Sequence, residues 1–280
     1  MHANSIYSRG TRRNSGVLDF LLQFGEQHRN ASGMTNIKIL CVVLMLACWR
    51  LYLFAGPIAA GPLPILEKDL REAWQAVGRI NGQGYRRLQG CSGTLIAPDL
   101  VVTAAHCVTK KFGIGPERHF VAGWYRGRFT AHSVSYEIDV HPLYALAEGQ
   151  KRFAYDLALV HLADPIPDSV VAAVPLLAAD AALQDTVLLL GYQKSVPHAL
   201  AGKSGCKSLP MTSDDWLLFN CEVAPGTSGG AAIVETPEGP KLAGIIVARA
   251  GTEGHALVVP VNRWVREAWY AAMARAQASP

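Results

Sequence analysis

Leu100-Val101-Val102-Thr103-Ala104-Ala105-His106-Cys107 is the stretch on which the fold turns. An apolar strand runs into small residues and delivers a histidine at its end. Two further stretches answer it. Asp156 stands at the head of the apolar run Leu157-Ala158-Leu159-Val160, where a lone carboxylate reads as a deliberately paired charge. Ser228 sits in Gly226-Thr227-Ser228-Gly229-Gly230. A hydroxyl is a poor nucleophile at neutral pH. An imidazole that takes its proton makes it competent, and a carboxylate fixes the imidazole's tautomer. His106, Asp156 and Ser228 are therefore the candidate catalytic set. A Gly-Thr-Ser-Gly-Gly stretch alone is more often a flexible loop, and most of the 9 histidines should be surface or packing residues. His132, His141, His161 and His255 lack a comparable setting and read as structural. Asp139, Asp164 and Asp168 compete with Asp156, but Asp164 and Asp168 flank prolines and read as turn residues.

The chain order His, Asp, Ser differs from the Asp, His, Ser of subtilisin-type enzymes and the Ser, Asp, His of α/β-hydrolases. With these residues the chain resembles the chymotrypsin/trypsin family of serine peptidases, in its bacterial-type branch. The likeness extends to Cys91-Ser92-Gly93-Thr94-Leu95-Ile96-Ala97, Val140-His141-Pro142-Leu143-Tyr144, Gly244-Ile245-Ile246 and Val261-Asn262-Arg263-Trp264-Val265, and so covers about residues 66 to 275. The resemblance implies an all-β fold of two packed six-stranded antiparallel barrels with a C-terminal helix. His106 and Asp156 would come from the first barrel and Ser228 from the second, with the cleft between them. It implies Ser228 as nucleophile, His106 as general base, Asp156 as its orienting carboxylate, and the N–H groups of Gly226 and Ser228 as an oxyanion hole. Gly226 would let the loop turn, while Gly229 and Gly230 would clear the substrate path. It pairs Cys91 with Cys107 and Cys206 with Cys221; spacing alone leaves three pairings of four cysteines open.

Three departures from the family pattern qualify that picture. Thr227 stands where the family usually has aspartate. It cannot form the ion pair with a new N-terminus that activates the trypsin branch, so the oxyanion loop must be held another way. Glu222, six residues before Ser228, lies where trypsin-like enzymes keep the acid that selects Arg or Lys. Arg249 lies near the same pocket wall and either neutralises Glu222 or, with His255, favours acidic substrates. The plain alternative makes Glu222 an exposed charge beside Cys221. Finally, the family's Ser-Trp-Gly substrate edge reads Val247-Ala248-Arg249.

Outward from these motifs, local patterns set the expected elements. Trp74 to Ile80 reads as a strand ending in an Asn81-Gly82 turn, and Pro98-Asp99 turns a hairpin between Leu95-Ile96-Ala97 and Leu100-Val101-Val102. A strand over Asp156 to Leu162 is followed by a proline-interrupted crossing, 163–185. Further strands are expected at Thr186–Tyr192, Trp216–Asn220, Ala231–Val234 and Lys241–Ala248, with Gly239-Pro240 as a hairpin turn. Asn262 caps a final helix reaching Gln277. Many short strands with turn punctuation favour barrels.

The 280 residues are 50% hydrophobic and 17% charged, which suits a large core. The net charge of +4 includes +2 from residues 1–33, and no basic cluster with interleaved aromatics suggests nucleic acid. Residues 37–60 are strongly apolar, preceded by basic residues and followed by Ile58-Ala59-Ala60-Gly61, the layout of an export signal cleaved near Ala59 or Ala60. Translation from Met34 would make this a signal of ordinary length. The length also allows an uncleaved membrane anchor, although Arg50 argues against one. The expected domains are 1–61, a tail plus export signal or anchor, and 62–280, the protease domain. Cys41 and Cys48 lie in the apolar tract, and the other four cysteines suit an oxidising compartment. The expected localisation is exported, periplasmic or secreted, or else membrane-anchored with the protease domain outside the cytoplasm. The expected partners are protein or peptide substrates. No cofactor or metal is implied, because the histidines and cysteines lack zinc-type spacing. A quality-control protease with an appended PDZ domain is one rival reading, and a catalytically silent, peptide-binding homologue is another.

Overall fold

The structure, a computed structural model, describes residues 62–82, 84, 90–109, 117–179, 186–210 and 215–278. A short helix α1 (Lys68–Ala73) leads into six antiparallel strands: β1 (Val77–Gly82), β2 (Gly90–Ala97), β3 (Leu100–Thr103), β4 (Arg118–Ala122), β5 (Ala131–Val140) and β6 (Ala158–Leu162). They close into a barrel in the order β1-β2-β3-β6-β5-β4. Six more follow: β7 (Thr186–Gln193), β8 (Val196–Lys207), β9 (Leu217–Glu222), β10 (Ala231–Thr236), β11 (Gly239–Ala250) and β12 (His255–Pro260). Their order is β8-β7-β10-β11-β12-β9. The chain thus has the expected all-β architecture of two six-stranded antiparallel, barrel-like sheets.

The edge strands of the second sheet, β8 and β9, meet at their ends. Leu209 N–H donates to Leu218 O at 2.7 Å, and Cys206 of β8 is disulfide-bonded to Cys221 of β9. The bridge therefore sits on the seam and covers an edge that would otherwise offer unpaired strand groups. Both sheets fill their interiors with branched aliphatics. Leu95, Leu100, Val102 and Val160 are fully buried in the first, as are Leu189, Ile245 and Val258 in the second. Each such side chain contributes about 1.5–3 kcal/mol on leaving water. Helix α2 (Arg263–Ala278) closes the chain. Asn262 Oδ1 accepts the Val265 N–H at 3.1 Å, the expected N-cap, and Trp269 Nε1 donates to Ile96 O at 2.8 Å, tying α2 to the first barrel.

The structure corrects the sequence reading in several places. Asn81-Gly82 is not a turn: β1 runs through it, fully buried, with Asn81 opposite both Gly90 and His119. Asn81 Oδ1 instead receives Arg79 Nη2 at 3.3 Å. The β10–β11 turn falls on Pro237 and Glu238, two residues earlier than Gly239-Pro240, because Gly239 already pairs with Thr236 at φ +96°. Finally, β8 is a twelve-residue strand between the expected Thr186–Tyr192 and Trp216–Asn220 strands, in a segment holding Pro197, Gly202 and Gly205 for which no strand was expected. Pairing with β7 overrides those local breakers. Residues 1–61, with the apolar tract and its proposed cleavage sites, lie outside the described residues, as do 180–185 of the crossing. Among the described residues, no helix is long and apolar enough to cross a membrane.

Candidate active site

His106 sits at the end of β3 because the chain there has nowhere else to go. Ala104 and Ala105 are fully buried, and their small side chains let a one-turn 3-10 segment (Ala105–Cys107) form against the core. Cys107 N–H returns to Ala104 O at 3.0 Å, and Cys107 is disulfide-bonded to Cys91 of β2. His106 is thus pinned by its neighbour. Its own main-chain N–H points to Asp156 Oδ1 at 2.8 Å, and its ring Nδ1 lies 2.6 Å from Asp156 Oδ2.

One carboxylate therefore holds both the backbone and the ring of His106. Asp156 is delivered by a 3-10 segment (Gly149–Tyr155) that ends just before β6, and it is only 5% exposed. The strand starts at Ala158, so Asp156 lies two residues outside the run it was expected to open. A buried carboxylate needs hydrogen-bond partners, and both oxygens of Asp156 have one on His106. The rival aspartates are committed elsewhere: Asp139 to His161 Nε2 at 2.9 Å, and Asp168 to the Ala173 N–H at 3.1 Å.

Ser228 lies on a tight double turn. Thr227 N–H and Thr227 Oγ1 both donate to Ala224 O, at 3.2 and 2.8 Å, and Gly230 N–H donates to Thr227 O at 2.8 Å. Thr227 is 2% exposed, so the residue that replaces the family's aspartate is turned inward and satisfied locally. Gly226 adopts φ +104° and Gly229 φ +83°, backbone that disfavours any side chain. Gly229 also packs tightly: a Cβ there would lie 2.0 Å from Ser92 O. This close approach lets the loop dock on the first barrel. Among the described residues, neither Gly226 N–H nor Ser228 N–H donates to any group of the chain. Cys107 Sγ lies 3.8 Å from Ser228 O, so the histidine turn and the serine loop touch.

A cavity of about 690 Å³ opens beside His106 and Asp156, lined also by Tyr144, Arg152, Phe153 and Val247. Tyr144 belongs to a motif read from the sequence, but nothing in the sequence flags Arg152 or Phe153. Burial, and then the Asp156 charge, push the Tyr144 phenol up, which keeps it protonated and neutral beside that carboxylate. The Arg152 guanidinium stacks 4.5 Å over the Tyr144 ring. Val247 reaches the cleft at a bulge of β11, where the register slips between Ile246 and Ala248.

The specificity candidates lie close together on neighbouring strands. Half-buried Glu222 lies opposite His255 in the β9–β12 register, and His255 Nε2 is 2.9 Å from Glu253. The exposed Arg249 packs its guanidinium against Gly254, and no ion pair joins it to Glu222 among the described residues. Sulfur atoms of Cys91 and Cys107 lie within 4.8 Å of a His106 ring nitrogen, an arrangement resembling a metal site. Both sulfurs are consumed in the disulfide, which supplies no thiolate.

Comparison with known proteins identifies the family and the fold. The trypsin-like peptidase domain family matches residues 91–239, just over half of the chain. The chain belongs to this family. A solved Glu endopeptidase in complex with MPD has a similar fold, with a TM-score of 0.60 at 16% identity over 79% of this chain and 100% of that one. No curated protein sequence matches the chain significantly. The trypsin-like domain here carries two disulfides, Cys91–Cys107 and Cys206–Cys221, in the pairing the family resemblance implied.

Proposed function

We propose that the chain is an exported serine endopeptidase that cleaves peptide bonds through an acyl-enzyme on Ser228. The observation that carries this is the double hold of Asp156 on His106, at 2.8 Å to the main chain and 2.6 Å to the ring, beside the Ser228 turn. With Nδ1–H bound to the carboxylate, Nε2 is the basic nitrogen that takes the Ser228 proton. Ser228 Oγ adds to the scissile carbonyl. The unengaged N–H groups of Gly226 and Ser228 receive the oxyanion, each such donor being worth about 2.7–4 kcal/mol in the transition state. The imidazolium then protonates the leaving amine, and water repeats the cycle to release the acid. Asp156 stays ionised and stabilises the imidazolium.

The domain division follows from this reading, with 62–280 as the catalytic unit and 1–61 as the tail and export segment or anchor. The two disulfides support an extracellular or exported protein, since such bridges persist in oxidising compartments. Half-buried Glu222, which no ion pair joins to Arg249 among the described residues, is proposed as the pocket acid, and a basic side chain ahead of the scissile bond is its complement. Cleavage profiling against a peptide library tests both levels. Hydrolysis after Arg or Lys is expected, hydrolysis after Glu or Asp overturns the pocket assignment, and no hydrolysis of any peptide overturns the activity.

A further inference from the structure

Ser92 binds both residues whose N–H groups are proposed to hold the oxyanion. It is fully buried on β2 of the first barrel. Its N–H donates to Ser228 O at 2.7 Å, and its Oγ donates to Gly226 O at 2.9 Å. The same Oγ accepts the Tyr192 N–H of β7 at 2.8 Å, and Ser92 O accepts Thr103 Oγ1 at 2.7 Å. All of its polar groups are thus engaged, two of them on the serine loop. Gly191 leaves the room for it, since a Cβ there would meet Ser92 Oγ and Thr227 Cα at 3.2 Å each. A second tie, Lys194 N–H to Pro225 O at 2.8 Å, holds the same turn from β7.

We propose that Ser92 is a positioning residue that holds the Gly226–Ser228 loop in its anion-binding conformation, doing the work that the Thr227 position gives up. The reasoning rests on the serine-peptidase reading above. A carbonyl and the N–H on its other side belong to neighbouring peptide units, and a peptide fixed at its oxygen cannot flip. Gripping Gly226 O fixes the Gly226–Thr227 peptide, and gripping Ser228 O fixes the Ser228–Gly229 peptide. The two donors, Gly226 N–H and Ser228 N–H, lie immediately ahead of these clamped units. In this chain the hold comes from a hydroxyl already present on the neighbouring barrel, so no newly freed amino terminus is required. The loop is ready as soon as the two sheets pack.

The test compares wild type, Ser92→Ala and Ser92→Thr in the full chain. Losing a whole oxyanion donor costs about 10²–10³ in kcat, and loosening its support should cost a fraction of that. Ser92→Ala is expected to lower kcat about 10- to 100-fold. KM should stay within about threefold, and a peptide boronate, which mimics the tetrahedral state, should lose affinity by the same factor as kcat. Ser92→Thr, which keeps the hydroxyl, should recover most of the rate. Selective acylation of the α-amino group should leave wild-type turnover unchanged. Wild-type kcat in Ser92→Ala, a threonine variant no better than alanine, or loss of activity on blocking the amino terminus would each overturn the assignment. If Ser92→Ala does not fold, amide exchange in wild type decides: Tyr192 N–H should exchange slowly, and exchange at open-loop rates overturns it. Failure of wild type itself to cleave peptides or react with a fluorophosphonate would instead sink the proposed function.

Discussion

Asp156→Asn isolates what the carboxylate does, because the replacement has almost the same shape. Asp156 accepts two hydrogen bonds, from the His106 main-chain N–H at 2.8 Å and at the ring Nδ1 at 2.6 Å. Asparagine has one acceptor oxygen and one NH2. The main-chain N–H can only donate, so the amide oxygen must face it and the NH2 must face Nδ1. Nδ1 then becomes an acceptor, and the ring proton moves to Nε2, the atom that should receive the Ser228 proton. The variant keeps its fold and its hydrogen bonds, but in the wrong tautomer. Such a tautomer error drops kcat by about 10⁴, which corresponds to about 5.5 kcal/mol at 1.36 kcal/mol per decade. Steady-state hydrolysis of the best peptide from the library, with circular dichroism to confirm the fold, measures this. The remaining rate should rise with pH, as hydroxide substitutes for the lost base. A folded variant that retains more than about a tenth of wild-type kcat, where the argument requires about 10⁴, would refute the tautomer reasoning.

Three further outcomes follow from the packing and the charges. Gly229→Ala forces φ +83° on an L-residue and drives a methyl to 2.0 Å from Ser92 O, so it should cost more than the roughly 1–2 kcal/mol of the backbone alone. Thermal melting should show that loss together with lost turnover. Removing Cys206–Cys221 should cost about 3 kcal/mol in denaturant titration while leaving KM largely intact. Removing Cys91–Cys107, which pins the residue after His106, should cost a similar amount and lower kcat as well. Burial, with the neighbouring His119 adding for His132, holds the imidazoles of His132 and His141 below their ordinary value of 6.5. The unfolded chain then binds more protons than the native one just below that pH, so this stability is full above about pH 6.5 and is lost as pH falls. Melting temperatures from pH 8 to pH 5 should decline, and His132→Gln or His141→Gln should flatten the slope.

Much of this molecule was legible in the sequence, for physical reasons that differ by element. The hairpin at Pro98-Asp99 and the cap at Asn262 are local chemistry, and local chemistry is written in a few residues. The His, Asp, Ser order stood in the sequence and carried the family resemblance, and the disulfide pairing came from that resemblance. Strand β8 was hidden because Pro197, Gly202 and Gly205 weaken it locally, and only its pairing with β7 sustains it. Ser92 was in plain view beside Cys91, yet its four hydrogen bonds reach residues up to 136 positions away, and no local pattern announces such contacts. Arg152 and Phe153 reach the cleft through the Gly149–Tyr155 3-10 segment, and their place in it is likewise set by distant contacts.

The central claim is that Ser228 is an activated nucleophile. Incubating the full chain with a fluorophosphonate and mapping the adduct by tandem mass spectrometry tests it directly. The account predicts one adduct, on Ser228, absent from Ser228→Ala and strongly slowed in His106→Ala. A folded, disulfide-bonded wild-type chain that takes up no probe, or takes it up equally in Ser228→Ala, would contradict it.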